Sequence, residues 1–174
     1  MSNKNAIIIY DLRENLEVGY IDIELMKSCN ILPADYHIKG KFNHVITSPY
    51  ENEFIFLFRY YNSENIRKHL LLFYNINKKS LNKLIEGEVI SHYNWLNKHE
   101  IILWGIMNNQ KDYFMMNIRT KCIRSLNTKL TDGHPSVIDN NKIITDTYPM
   151  VNRYRNLIKF NIETRNSKVI AKLL

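Results

Sequence analysis

Three histidines stand at matching points of three similar stretches: His44 in "FNHVITSP", His92 in "VISHYNW" and His134 in "DGHPSV". They recur at spacings of 48 and 42 residues. Neutral imidazole is the commonest metal-ligating side chain, and three of them around an open position suit a catalytic metal. The set therefore has two readings. One is a site for a divalent metal of manganese type. The other is a trio of structural histidines, each tying an inner strand to its neighbour. Sequence spacing alone does not separate them. No other cofactor is implied: there is no phosphate-binding glycine loop, no nucleophile elbow and no zinc knuckle.

Around the third histidine, "DGHPSVIDNNKIITDTYP" adds Asp146 and Tyr148. Asp146 occupies a place where the two earlier stretches carry the apolar Phe58 and Trp104. A carboxylate there is expected to accept hydrogen bonds from His134, from Arg155 or from turn N–H groups. A general-base role would need a tuned pKa and a substrate proton within reach. Tyr148, with Tyr60, Tyr61, Tyr154, Trp95 and Trp104, offers ring faces on which sugars stack, although aromatics mostly fill cores. Arg59, Arg153 and Arg155 lie beside such rings, and Arg59 and Arg155 are candidate partners for an acidic sugar carboxylate.

These side chains need a scaffold that returns to one place at a regular interval. The chain offers short apolar runs such as "EFIFLFRYY", "HLLLFYNI", "EIILWGIM" and "NLIKFNI", rich in β-branched and aromatic residues and bounded by Asn, Asp, Lys or Gly. That is the signature of strands. They group in fours. The first group lies near Phe42–Thr47, Glu53–Tyr61, His69–Ile76 and Leu81–Glu86. The second lies near Ser91–Leu96, Glu100–Met107, Tyr113–Ile118 and Cys122–Leu126. The third lies near His134–Ile138, Lys142–Tyr148, Asn156–Ile162 and Lys168–Leu173. A four-stranded unit repeating at about 40 to 50 residues is the period of a β-propeller blade. The N-terminal "AIIIYDLRENLEVGYIDIELM" matches only the third and fourth strands, and residues 27–41 read as a linker.

The expected fold is therefore all-β: one partial β-propeller domain over residues 1–174, with a half blade at 3–26 and blades at 42–87, 89–127 and 132–174. Such a partial ring exposes two faces, so self-association, or a chain supplying the missing blades, is expected. A truncated descendant of a longer protein fits as well.

The bulk properties narrow the function. The chain has 174 residues, 45% of them hydrophobic and 24% charged, which suits a globular domain with a real core. The net charge is +7, but its Lys and Arg are scattered in ones and twos, which argues against a specific nucleic-acid role. No run reaches the roughly 18 apolar residues of a membrane helix. The N-terminus lacks the pattern of a signal peptide, so a cytoplasmic protein is expected. Two cysteines make no disulfide framework, and Cys122 reads as a small core residue.

The phrases "FNHVITSP", "VISHYNW" and "DGHPSV…NNKIITDTYP" resemble the blade openings of bacterial WD40-like propellers of the oligogalacturonate-lyase group, along roughly Asn5 to Leu174 and the C-terminal half of those proteins. The resemblance implies a polysaccharide setting. For the lyase branch it implies β-elimination with a divalent metal, typically manganese, held by several His and a Gln. His44, His92 and His134 match blade-opening histidines of that group. The Gln has no counterpart, since Gln110 lies in a turn, and Phe58 stands where the family places a paired His. The expected function is accordingly a noncatalytic binding or assembly module derived from a carbohydrate-active propeller, with a carbohydrate as ligand. The alternative is a metal-dependent lyase completed by dimerisation or by a partner chain.

Overall fold

A computed structural model of the chain describes residues 5–149 and 153–173. Residues 3–4 of the expected half blade, and residues 150–152 and 174 of the last blade, lie outside the described residues. The chain divides into two compact units, Met1–Glu86 and Gly87–Leu174.

The first unit opens with a hairpin of β1 (Ile7–Asp11) and β2 (Leu16–Ile21), followed by the short helix α1 (Ile23–Ser28). Asp22 caps that helix: its carboxylate accepts the Leu25 N–H at 2.9 Å, which satisfies one of the donors a helix start leaves open. A four-stranded antiparallel sheet follows in the order β3 (Tyr36–Thr47), β4 (Glu53–Asn62), β5 (Arg67–Asn75), β6 (Ser80–Gly87). The expected linker is thus corrected in two ways. It contains the end of a helix, and its last six residues already belong to β3. The pairings of Tyr36 with Asn62 and of Ile38 with Tyr61 carry that strand back past two irregularities that conceal its period.

β4 shows why the sheet forms. Phe54, Phe56, Phe58 and Tyr60 alternate on one face, Ile55 and Leu57 on the other, and all are buried. A strand apolar on both sides belongs in the middle of a layered structure. The aromatic face packs with Leu70, Leu72 and Tyr74 of β5, with Ile21 of the hairpin, Met26 of the helix and Ile31 just beyond it. Each such buried side chain contributes about 1.5–3 kcal/mol.

The second unit holds two more four-stranded sheets. One runs in the order β7 (Val89–Trp95), β8 (Glu100–Met107), β9 (Gln110–Asn117), β10 (Ile123–Ser125). The other runs β11 (Ser136–Asp139), β12 (Lys142–Asp146), β13 (Arg155–Asn161), β14 (Ser167–Leu173). The turn from β8 to β9 is Asn108–Asn109, with φ of 51° and 62°. Asparagine tolerates that left-handed backbone better than most residues, and the two-residue turn matches strand twist. Ile102, Tyr113 and Leu126 of the first sheet region meet Ile143, Phe160 and Ile162 of the second in one buried cluster. All twelve strands expected after residue 41 are present, as three four-stranded sheets that follow the two-stranded hairpin along the chain. The fold is all-β, made of propeller-type blades. Cys122 departs from expectation: it is exposed, because it lies in the turn ahead of β10 rather than on a packed strand face.

Candidate functional site

The first strands of two sheets are irregular where their histidines sit. In β7, Ile90 pairs with Gly105 and Tyr93 with Leu103, so Ser91 and His92 together oppose Trp104. In β3, Asn43 pairs with Leu57 and Ile46 with Ile55, so His44 and Val45 together oppose Phe56. Each is a bulge, a device that re-aims a side chain at the cost of one unpaired residue. His44 carries a φ of 51°, unusual for a strand residue. The residue opposite His44 is thus Phe56. Phe58 pairs with Phe42.

Within the second unit, His92 and His134 are brought together. Their ring centroids are 4.0 Å apart at an interplanar angle of 50°. Tyr148 completes a three-ring cluster, 6.2 Å from His92 and 6.0 Å from His134. Each imidazole has its own carboxylate. His134 Nδ1 lies 2.9 and 3.1 Å from the two Asp146 oxygens, and its backbone N–H donates to Asp146 Oδ1 at 2.7 Å. His92 Nδ1 lies 3.2 Å from Asp132 Oδ1. The Ser91 hydroxyl donates to Asp132 Oδ2 at 2.7 Å and lies 2.9 Å from His92 Nδ1. A carboxylate on Nδ1 places the proton there and leaves Nε2 as the lone-pair nitrogen of the neutral ring. Asp146 feels two opposed effects. Burial pushes its carboxyl up, but the N–H and ring of His134 outweigh it and hold the carboxyl below the usual carboxylate range.

The local chain explains the fit. Asp132, Gly133 and His134 enter the last sheet so close to β12 that a Cβ on Gly133 would sit 1.8 Å from the Asp146 carbonyl oxygen and 2.7 Å from Thr145 Oγ1. Only glycine permits that approach. Thr145 is buried, and its hydroxyl meets the Tyr113 hydroxyl at 2.6 Å. Burial pushes the Tyr113 phenol well above its ordinary range, so it stays protonated. Asn94 of β7 donates to the Pro135 carbonyl at 3.1 Å, fastening β7 to the residue just ahead of β11.

Beside the ring cluster lies an open groove of about 490 Å³. Trp104, Leu130, Tyr148 and Pro149 give it an apolar wall, Lys111 and Lys129 supply positive charge, and Asp132 links it to His92. The Trp104 indole N–H points to the Leu130 carbonyl at 3.5 Å. Apolar walls with a few placed polar groups are the usual makeup of a ligand site.

The sequence-derived candidates divide by place. His92, His134, Asp146 and Tyr148 converge in the second unit. His44 and Arg59 belong to the first unit, His44 exposed at its bulge and Arg59 paired across strands with Lys41 and His69. Arg155 is exposed at the start of β13, opposite Leu173. Sequence reasoning missed Asp132, Ser91, Gly133 and the groove lysines. Asp132 could not be found by local spacing: it stands two residues before His134, yet its carboxylate serves His92. Among the described residues, no three His, Cys, Asp or Glu side chains form a group able to hold a metal ion.

No family model matches the chain, and no curated protein sequence does. Solved structures do. The β-propeller domain of the Trilobed protease from Pyrococcus furiosus, described as having an open velcro topology, matches at TM-score 0.58 and 12% identity, over 98% of this chain and 49% of that one. The acylaminoacyl peptidase of Pyrococcus horikoshii matches at TM-score 0.59 and 11% identity, over 78% of this chain and 25% of that one. TolB from Acinetobacter baumannii matches at TM-score 0.51 and 12% identity, over 94% and 42%. An oligogalacturonate lyase from Vibrio parahaemolyticus matches at TM-score 0.47 and 14% identity, over 80% and 49%. The chain thus spans less than half the length of each of these proteins. At such identities the likeness is one of fold: this is a β-propeller chain.

Proposed function

We propose that the chain is a noncatalytic binding module of the propeller type, and that its ligand is a carbohydrate held in the groove beside the His92–His134 pair. One observation carries the reading: an aromatic wall, Trp104 and Tyr148, adjoins two imidazoles that are each locked by a carboxylate. Ring faces take the apolar faces of a sugar, and oriented imidazoles and carboxylates take its hydroxyls. Lys111 and Lys129 favour a sugar bearing a carboxylate. The cytoplasm is the compartment that suits two exposed, unbridged thiols, Cys29 and Cys122.

Tryptophan fluorescence tests this directly, because Trp95 is buried while Trp104 lines the groove. Uronic-acid oligomers are expected to perturb the emission saturably, neutral oligomers more weakly, and Trp104→Phe is expected to remove the response. Equal, unsaturable responses to both sugars would sink the reading.

A second reading rests on the Nδ1 carboxylates, the support that commonly stands behind metal-bound imidazoles. Nε2 of His92 and of His134 would then be two ligands of a divalent ion, with Tyr148 beside them, and a lyase completed by dimerisation would become chemically possible. Titration with manganese or zinc decides. Binding that survives His92→Ala, or no binding in the unaltered chain, removes this reading.

A further inference from the structure

We propose that the chain associates head to tail with a second copy of itself: the acidic, apolar outer face of the β1–β2 hairpin of one copy docks on the basic, apolar outer face of the β11–β14 sheet of the next.

The two faces can be read residue by residue. In the hairpin, Ile7 and Ile9 pack on the core, so Ile8 and Tyr10 face outward and are 59% and 48% exposed. Their cross-strand partners are Tyr20 and Glu17. The connecting turn adds Leu12, 87% exposed, with Arg13 and Glu14, and Asp11 ends β1 just before it. The charges of Asp11, Glu14 and Glu17 exceed that of Arg13, so the apolar surface is rimmed by acid.

In the last sheet, Val137, Ile143 and Phe160 pack into the buried cluster of the second unit. The opposite face then carries Ile144, Leu157 and Ala171, all partly exposed, and Leu173 at the edge. Its charges are Lys142, Lys159, Lys168 and Arg155. Lys142 is neutralised by Asp139 at 3.0 Å, and the acidic Asp146 is held by His134. Lys159 and Lys168 remain exposed and directly opposite each other across β13 and β14. Like charges facing across a strand pair are unfavourable, and a counter-charge from outside relieves them. An apolar centre with acid on one side and base on the other is the pattern of complementary docking faces. Because the faces differ, the contact is heterologous, and repeated contacts build rings or chains of copies rather than an isologous pair.

Sedimentation velocity on the full chain, over rising protein concentration at about 0.05 M and about 0.5 M salt, tests the proposal. Reversible association that weakens with salt is expected. Lys159→Glu with Lys168→Glu should weaken it at least tenfold, and so should Glu14→Lys with Glu17→Lys. All four changes in one chain should restore it, since the charges are then complementary again. A monomer at about 100 µM and low salt, or association untouched by either double variant, would overturn the proposal, because charged contacts between close partners carry measurable coupling. Failure of the fourfold variant to recover while still folded would overturn it too. If a variant loses its fold by circular dichroism, the salt series on the unaltered chain decides: association indifferent to salt overturns the idea.

Discussion

Asp146→Ala is the substitution that reaches furthest into the candidate site. Asp146 accepts two hydrogen bonds from one residue, the His134 N–H at 2.7 Å and its ring Nδ1 at 2.9 Å. A hydrogen bond to a charged group contributes about 1.5–3 kcal/mol when its partner is left buried and unsatisfied. Here His134 is 56% exposed, so water replaces much of the loss. The pair should therefore cost about 1.5–2 kcal/mol together. For a chain of this size that is a fall in Tm of about 3–8 °C. The effect depends on pH in a definite sense. The Asp146 carboxyl is held below its ordinary range, so its contribution is present above that range and is lost as pH falls through the depressed value. Differential scanning calorimetry of both proteins at neutral pH and at pH values stepped down through and below the ordinary carboxylate range measures this. The gap between them should be widest at neutral pH and narrow as the carboxylate protonates. In the same variant, the His134 ring resonances should lose their tautomer preference in nitrogen-edited NMR. A gap that stays constant into acid, or a His134 tautomer unchanged by the substitution, would refute the reasoning.

Gly133→Ala should destabilise the second unit by about 1–3 kcal/mol, read by chemical denaturation, because the new Cβ would strike the Asp146 carbonyl oxygen and the ladder behind it cannot retreat. Tyr113→Phe removes the hydroxyl that meets Thr145, and should cost about 1–2 kcal/mol by the same measurement. Asp112 is buried and accepts from Ser125, from the Asn127 N–H and from both the N–H and hydroxyl of Thr128. Burial opposes its charge, but these donors hold the carboxyl below the ordinary range, so its support too is present at neutral pH and lost in acid. Asp112→Asn should flatten the acid limb of the stability curve. Cys29 and Cys122 are both exposed and should titrate with a thiol reagent in the native protein, whereas two unreactive thiols would contradict their placement.

Much of the fold was legible in the sequence because its causes are local. Runs such as "EFIFLFRYY" alternate or saturate with apolar residues at the period of a strand, and Asn-Asn and Asp-Asn-Asn mark turns by backbone preference alone. The four-strand grouping and its repeat followed, and so did the register of His92 and His134 as openers of successive sheets. What stayed hidden has non-local causes. The early start of β3 is masked by irregular pairing, and the exposure of Cys122 follows from its place in a turn rather than from its residue type. Helix α1 is too short for periodicity to reveal.

The site shows the same division more sharply. The sequence by itself determined which residue types recur, where they enter each sheet and that Asp146 breaks the apolar pattern of its counterparts. Tertiary structure decided the rest: that His92 and His134 touch, that Asp132 turns to the neighbouring strand's histidine while Asp146 takes the one beside its own turn, and that Trp104 and Tyr148 wall one groove. A sequence lists positions along one dimension, whereas a carboxylate chooses its partner by distance in three. Across two packed sheets that distance is set by a bulge in β7 and by the missing side chain of Gly133.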